Sequence, residues 1–288
     1  MVKASKMAHG VATGHPARLF QMTERSEIRL GVVTPMANEG PEAVRFVEEA
    51  LRHCSGFRDV LFFAVLDQTT TDNSLELLRE FERTEPRLRV VWSPENRCVV
   101  DAYLRGYREA LAANADWILE IDAGFSHQPE EMAKFWAALP LGYDCIFGSR
   151  FMPGGKMSDA SWKRRLVSRG GSVLANFLLG TRQTDMTSGF ELFSRQALEA
   201  VLEIGVASRG PFFQTEIKAY CRNLRIVEVP IHYRSPSHQL GNSAMQDAFR
   251  QLWRLYRLRR AGCLPQAATG ERGVAGVATA CSTGHPKE

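Results

Sequence analysis

The run Trp117-Ile-Leu-Glu-Ile-Asp122-Ala-Gly-Phe-Ser-His127-Gln-Pro129 is a short hydrophobic strand that ends on an acid and breaks at once into a turn. That order places Asp122 at the edge of a sheet, where a carboxylate can meet a divalent cation and a diphosphate. Glu120, two residues earlier, points to the same face because side chains alternate along a strand. An Asp before a turn also caps the backbone amides that follow it, so these residues alone leave Asp122 between two roles.

On either side of this run, strand-like and helical patterns alternate. Residues 28–34, 60–66, 88–92, 117–122 and 145–148 read as strands, and 42–54, 72–83, 99–113 and 129–138 as helices. The strands are apolar throughout rather than at every second residue, which argues an α/β fold with a mostly parallel sheet covered by helices on both faces. Ligands of such sheets bind beyond the carboxyl ends of the strands. The polar residues there are Pro35, Asn38 and Glu39, then Asp67 and Asp72, Asn96 and Arg97, Asp122, and Ser149 and Arg150. Neither G-x-G-x-x-G nor G-x-x-x-x-G-K-[ST] follows a strand, which removes the usual support for a dinucleotide or P-loop site.

Composition narrows the class further. Of 288 residues, 44% are hydrophobic and 24% charged, globular proportions that exclude a largely disordered, collagen-like or fibrous-repeat protein. The longest apolar runs, such as 60–66, are far too short to span a bilayer. No continuous apolar segment follows Lys3 and Lys6, so no secretory signal is expected and the chain is expected to stay in the cytosol. The six cysteines are scattered and form no C-x-x-C, which predicts reduced, mostly buried thiols.

A net charge of +4 is too small to argue for nucleic acid, but five Arg and one Asp fall between Gln246 and Arg260. There Phe249, Leu252, Trp253, Leu255 and Tyr256 share one helical arc flanked by Arg250, Arg254 and Arg257. Such a helix can lie on an anionic membrane as a peripheral contact, or it can pack on the domain with its arginines in solvent. Residues 1–26 and 261–288 read as mobile tails, leaving 27–245 as the folded domain and 246–260 as an appended basic helix.

Six blocks carry a resemblance: Thr-Pro-Met-Ala-Asn-Glu at 34–39, Glu-Ile-Asp-Ala-Gly-Phe-Ser-His-Gln-Pro at 120–129, Gly-Ser-Arg-Phe-Met-Pro-Gly-Gly at 148–155, Ser-Arg-Gly at 168–170, Asp-Met-Thr-Ser-Gly-Phe at 185–190 and Ile-Val-Glu-Val-Pro-Ile at 226–231. Their order resembles that of the inverting GT-A glycosyltransferases of family 2, in particular the dolichyl-phosphate mannosyltransferase (polyprenyl-phosphate glycosyltransferase) branch. The resemblance implies a Rossmann-like GT-A domain, a nucleotide-sugar donor with GDP-mannose as first expectation, a divalent metal (Mg2+ or Mn2+), and transfer of a hexose with inversion to a polyprenyl phosphate. The alternatives are the same donor chemistry on a soluble small-molecule hydroxyl, or a non-catalytic nucleotide-sugar-binding subunit.

The resemblance also assigns residues. Pro35, Asn38 and Glu39 match the block that holds base and ribose, with Met36 where that branch usually has Tyr, and Asp67 matches the end of the second strand. Asp122 matches the first acid of an Asp-x-Asp pair whose second acid is here Gly124. Metal binding is therefore expected to rest on Asp122, with Glu120 or Ser126 and the donor's phosphates, and to be weaker than usual. Arg150 and Arg169 match two arginines that face the acceptor phosphate, a role suited to a guanidinium fork; a surface ion pair is the ordinary alternative. Asp185 and Ser188 are expected beside the sugar or acceptor, and Gln214 and Glu216 near the donor. The branch's Gly-x-Ser-Lys loop reads Gly241-Asn-Ser243-Ala244, so Ser243 is kept at the donor while Arg234 or His238 is expected to replace the lost charge. A phosphate acceptor is already anionic near neutral pH and needs no base.

Overall fold

Strands that are apolar on both faces need cover on both faces, and the computed structural model shows how this chain provides it. The structure describes residues 24–234 and 242–270, the first three residues of the second segment by backbone only. In chain order the elements are β1 (Arg29–Pro35), α1 (Pro41–Arg52), β2 (Asp59–Leu66), α2 (Ser74–Glu82), β3 (Leu88–Trp92), α3 (Val99–Ala112), β4 (Trp117–Glu120), α4 (Met132–Ala138), β5 (Cys145–Ser149), β6 (Lys156–Ser158), α5 (Trp162–Leu179), β7 (Glu191–Ser194), α6 (Arg195–Ile204), α7 (Phe213–Tyr220), β8 (Ile226–Pro230), β9 (His232–Arg234) and α8 (Asn242–Arg260).

Seven strands form one sheet in the order β3-β2-β1-β4-β7-β5-β8. All neighbours are parallel except β7, which runs antiparallel between β4 and β5. The carboxyl ends of β1, β2, β4 and β5 and the amino end of β7 therefore share one rim. β6 and β9 pair separately near that rim, where the Arg234 amide donates to the Ser126 carbonyl at 2.9 Å. β4 is shorter than the sequence suggests: ladder pairing stops at Glu120, although the Ile121 amide still reaches the Val33 carbonyl.

One apolar cluster, including Phe46, Leu78 and Phe135, packs α1, α2 and α4 on one face of the sheet. A second, including Tyr107, Leu198 and Phe213, packs α3, α6 and α7 on the other. α3 approaches closely because Gly106 faces the sheet; a Cβ there would overlap Val33 Cγ1 and stand 3.1 Å from Val65 Cγ2. Gly106→Ala is expected to cost about 1–3 kcal/mol by overpacking, seen as a lowered urea midpoint; an unchanged midpoint would mean the helix can move away freely.

In the C-terminal region α8 takes the second of its two expected arrangements, packing on the domain, but with two of its arginines engaged, and the segment after it departs from expectation. Leu252 and Leu255 of the predicted arc are buried against Ala175, Leu179 and Tyr220, while Phe249 and Trp253 remain exposed. Arg254 pairs with Glu216, and Arg259 donates to the carbonyls of Phe177 and Leu178, so two of the helix's arginines fasten it to the domain. Residues 261–270, expected to belong to a mobile tail, instead return to the domain. Leu264 and Ala267 are buried, and Arg222 donates to the carbonyls of Leu264 and Pro265. Of the expected tails 1–26 and 261–288, residues 1–23 and 271–288 lie outside the described residues, while Arg25–Glu27 form a short 3-10 turn leading into β1. Among the described cysteines none is in a disulfide, and Cys54, Cys145 and Cys221 are buried.

Candidate active site

At the end of β1, Asn38 binds the loop that follows β2. Its amide nitrogen donates to the Thr69 carbonyl at 2.9 Å, and its Oδ1 accepts from the amides of Thr71 and Asp72. Asp67 Oδ1 accepts from the Thr69 amide and hydroxyl. These bonds set the shape of the β1–β2 rim, so Asn38 is a scaffold for the sheet edge on which Pro35, Glu39 and Asp67 stand. Glu39 has its carboxyl pKa raised by partial burial and by the nearby charge of Asp72.

Asp122 stands where the extended chain leaves β4, its side chain 41% exposed. The Tyr103 hydroxyl donates to its Oδ1, and His127 Nδ1 lies 3.4 Å from its Oδ2. Burial lowers the His127 pKa despite the pull of Asp122, which favours a neutral ring. Tyr103 and Tyr107 were not anticipated from the sequence, yet it carries a signal for them. They lie four residues apart on α3, a rise of about 6 Å, and face Asp122 and Glu120, about 6.6 Å apart along the strand.

Glu120 is not a metal ligand. It is wholly buried, accepts from the Tyr107 hydroxyl and receives Gln214 Nε2 at 3.1 Å. Burial raises its pKa well above the usual range, with Glu191 and Asp122 adding to the effect. Gln214 therefore sits beneath the rim, close over Gly189, rather than on it. Beside them Lys218 Nζ lies 2.7 Å from Glu191 Oε1 and donates to the Ser188 carbonyl, all three side chains being buried. The contact is an ion pair in which neither Glu191 oxygen accepts a well-angled hydrogen bond.

Glu216 is likewise buried away from the rim. It accepts from the Ala207 and Ser208 amides, the Tyr220 hydroxyl and Arg254, and so ties α7 to α8. Its conspicuous acid chemistry in the sequence is spent on holding helices together.

Arg150 is 8% exposed and binds Asp185 with both prongs, Nε to Oδ2 at 2.7 Å and Nη2 to Oδ1 at 2.8 Å; Nη2 also reaches the Thr187 hydroxyl. Burial alone would raise the Asp185 pKa, but the adjoining guanidinium prevails and holds it down to about 2. The bidentate face expected to meet a phosphate is thus turned to a carboxylate, and only Nη1 lies outside these bonds. Ser188 is buried with an unpartnered hydroxyl. Arg169 is exposed on α5, where it lines a shallow groove of about 530 Å³ with Leu166, Gly170, Val173, Leu174 and Phe177. Arg234 is exposed at the end of β9, beside the Asp122 turn. His238 lies outside the described residues, and Ser243 is described by backbone alone, at the start of α8.

A divalent cation fits this rim with few protein ligands. Among the described residues there is no group of three His, Cys, Asp or Glu that could hold a metal. Asp122 and Glu39 are nevertheless hard oxygen donors, and a Cβ at Gly124 would stand 3.2 Å from Glu39 Oε2. Mg2+ is commonly held by one or two carboxylates together with substrate phosphates.

A parallel sheet bearing acids along its carboxyl rim, with one antiparallel strand inserted, defines a GT-A-type glycosyltransferase domain. The Glycosyl transferase family 2 profile matches residues 31–202, and the chain belongs to that family. It is 30% identical over 229 residues to polyprenol monophosphomannose synthase of Mycolicibacterium smegmatis, covering 78% of this chain and 84% of that protein. It is 30% identical over 220 residues to undecaprenyl-phosphate mannosyltransferase of Micrococcus luteus, covering 76% of this chain and 88% of that protein. Among solved structures, glucosyl-3-phosphoglycerate synthase of Mycobacterium tuberculosis, in complex with Mn2+, UDP and glucosyl-3-phosphoglycerate, matches with a TM-score of 0.57 at 16% identity, covering 88% of this chain and 87% of that one. That last likeness is one of fold.

Proposed function

We propose that this glycosyltransferase moves a hexose, mannose first, from a nucleotide diphosphate sugar, GDP-mannose first, to a polyprenyl phosphate. The observation that carries the reading is the half-exposed carboxylate of Asp122, aimed by Tyr103 and His127 into the rim that Glu39 and Asp67 share. The mannosyltransferase names of the relatives support the sugar and the acceptor class.

Pro35, Glu39 and Asp67 would hold the nucleoside, with Asn38 keeping their loops in place. Asp122, with Glu39 nearby, would hold Mg2+ or Mn2+, whose chemistry is to neutralise the diphosphate as it departs. Arg169 and Nη1 of Arg150 offer donors to the acceptor phosphate, which attacks the anomeric carbon from the face opposite the leaving diphosphate. The pairing of Arg150 with Asp185 keeps that arginine rigid. No proton has to be removed from a phosphate nucleophile, so a buried general base is unnecessary.

The surface of α5 supports a lipid acceptor. Trp162, Leu166, Val173 and Phe177 recur at helical spacing, and Trp162 and Phe177 are 68% and 79% exposed. Phe249 and Trp253 on α8, which packs against α5, add exposed apolar area. No helix among the described residues is long and apolar enough to cross a membrane, and a peripheral contact is the corresponding reading. A Leu166→Glu/Phe177→Glu variant is expected to lose co-sedimentation with anionic vesicles and to raise KM for a long-chain prenyl phosphate by about tenfold or more, in proportion to lost apolar contact. Transfer to a short, water-soluble prenyl phosphate should be unchanged; undiminished vesicle binding would remove the lipid-facing role.

The function itself is tested by a donor panel of GDP-, UDP- and dTDP-sugars, with and without Mn2+, against a short-chain prenyl phosphate. Sugar-phosphate-prenol product is expected. A free alcohol accepting sugar where prenyl phosphate fails would favour the small-molecule acceptor, and no transfer above background with any donor would favour a binding subunit.

A further inference from the structure

Gly124 stands where the family's second acid would be, and its backbone is left-handed at φ +71, a conformation that Asp and Asn also tolerate better than most residues. The space beside it is occupied. Glu39 Oε2 lies 3.2 Å from the position of a Cβ at residue 124, so the side chain of an acid there would start against the Glu39 carboxylate. The Glu39 carboxylate makes no hydrogen bond or ion pair among the described residues; only its amide is engaged, by Ser74 Oγ at 3.0 Å. Behind Asp122, His127 Nδ1 is directed at Oδ2 and has no hydrogen-bond partner in a side chain 2% exposed.

We propose that Glu39 supplies the second carboxylate of the metal site, so that Asp122 and Glu39 together hold the divalent cation against the donor's diphosphate. The inference rests on the nucleotide-sugar reading above. An acid lost from the turn after β4 is replaced by one delivered from the turn after β1, the neighbouring strand of the sheet. Two anionic oxygens and the diphosphate satisfy a hard cation as well as an Asp-x-Asp pair does. Metal binding then also draws together the nucleoside-binding loop and the Asp122 turn.

The test uses the full chain and the variants Glu39→Gln, Gly124→Asp and the double variant, with folding checked by circular dichroism and thermal melting. Mn2+ binding is followed by electron paramagnetic resonance with GDP and, in parallel, UDP as the diphosphate; nucleotide affinity without metal is measured by calorimetry. Glu39→Gln is expected to weaken Mn2+ binding by about tenfold or more, the scale of disturbed metal-site carboxylates, a larger loss than that of metal-free nucleotide affinity, which reports only its contact with the nucleoside. The double variant should recover Mn2+ binding. Unchanged Mn2+ affinity in Glu39→Gln overturns the proposal, as does an equal loss of metal-free nucleotide affinity, which a purely nucleoside-binding Glu39 would give. If Glu39→Gln unfolds, Glu39→Asp, one methylene shorter, carries the same comparison. Nucleotide binding that ignores Mn2+ in the parent overturns the proposal alone; neither nucleotide binding under any condition overturns the nucleotide-sugar reading with it.

Discussion

Asp122→Ala is expected to lower kcat/KM for sugar transfer by about 10³-fold, the scale on which enzymes lose rate when one preorganised charge-stabilising group is removed. The size of the effect follows from how little surrounds it. The second acid is Gly124, Glu120 is sealed under Tyr107 and Gln214, and Glu216 is bound to α8, so few carboxylates remain at the rim to replace Asp122. Asp122→Asn keeps an acceptor for the Tyr103 hydroxyl but removes the charge, and should lose nearly as much. Tyr103→Phe removes only the orienting bond and should lose about tenfold, near the 1–1.5 kcal/mol of a single hydrogen bond. Initial rates with donor and short prenyl phosphate decide the matter. An Asp122→Ala enzyme within threefold of the parent would end the assignment.

Lys218→Met is expected to cost about 3–5 kcal/mol of stability at pH 8, because it leaves a buried carboxylate without its counter-ion. Lys218 and Glu191 are both wholly buried, and the carboxylates of Asp185 and Asp122 add negative charge nearby. Burial pushes the Glu191 pKa up to about 7 even with Lys218 pulling it down. A carboxyl raised in the fold binds a proton that the unfolded chain has already released. Its stabilising contribution is therefore complete below the unfolded value near 4.5 and is lost as pH rises through about 7, at up to about 1.4 kcal/mol per pH unit for one proton. Without Lys218 the Glu191 pKa rises further and the loss extends above pH 7. Urea denaturation should thus show a larger deficit at pH 8 than at pH 5. Asp185, held at about 2, loses its contribution only as pH falls towards that value and does not enter this window. Equal deficits at both pH values would mean that the lost packing of the lysine stem, not the uncompensated charge, sets the cost.

What could be read from the linear chain was whatever depends on near neighbours. The strands of β1 to β5 and the helices between them lie within a few residues of their expected places, because apolar periodicity is a local property. The rim residues Glu39, Asp67 and Asp122 follow from the same reasoning, since strand ends are local too. The cases of Glu216, Gln214 and Arg150 turned differently. An acid, an amide and an arginine in the right blocks look like ligands in sequence, but what each touches is set by α8, β4 and the turn at Asp185 arriving from elsewhere. The sequence offered α8 two fates, and Leu252 and Leu255 buried against α5 and α7 show a helix that packs on the domain while leaving Phe249 and Trp253 outside.

The order of strands and helices, the family and the acid at position 122 were determined by the sequence alone, because hydrophobic period, strand ends and block order are properties of adjacent residues. Tertiary structure alone decided which charges remain at the rim. Arg150 was committed to Asp185, Glu120 and Glu216 were sealed inside, and Glu39 was brought beside Gly124. Each of those outcomes depends on burial and on partners dozens of residues away, and a buried charge keeps its place only where such a partner meets it.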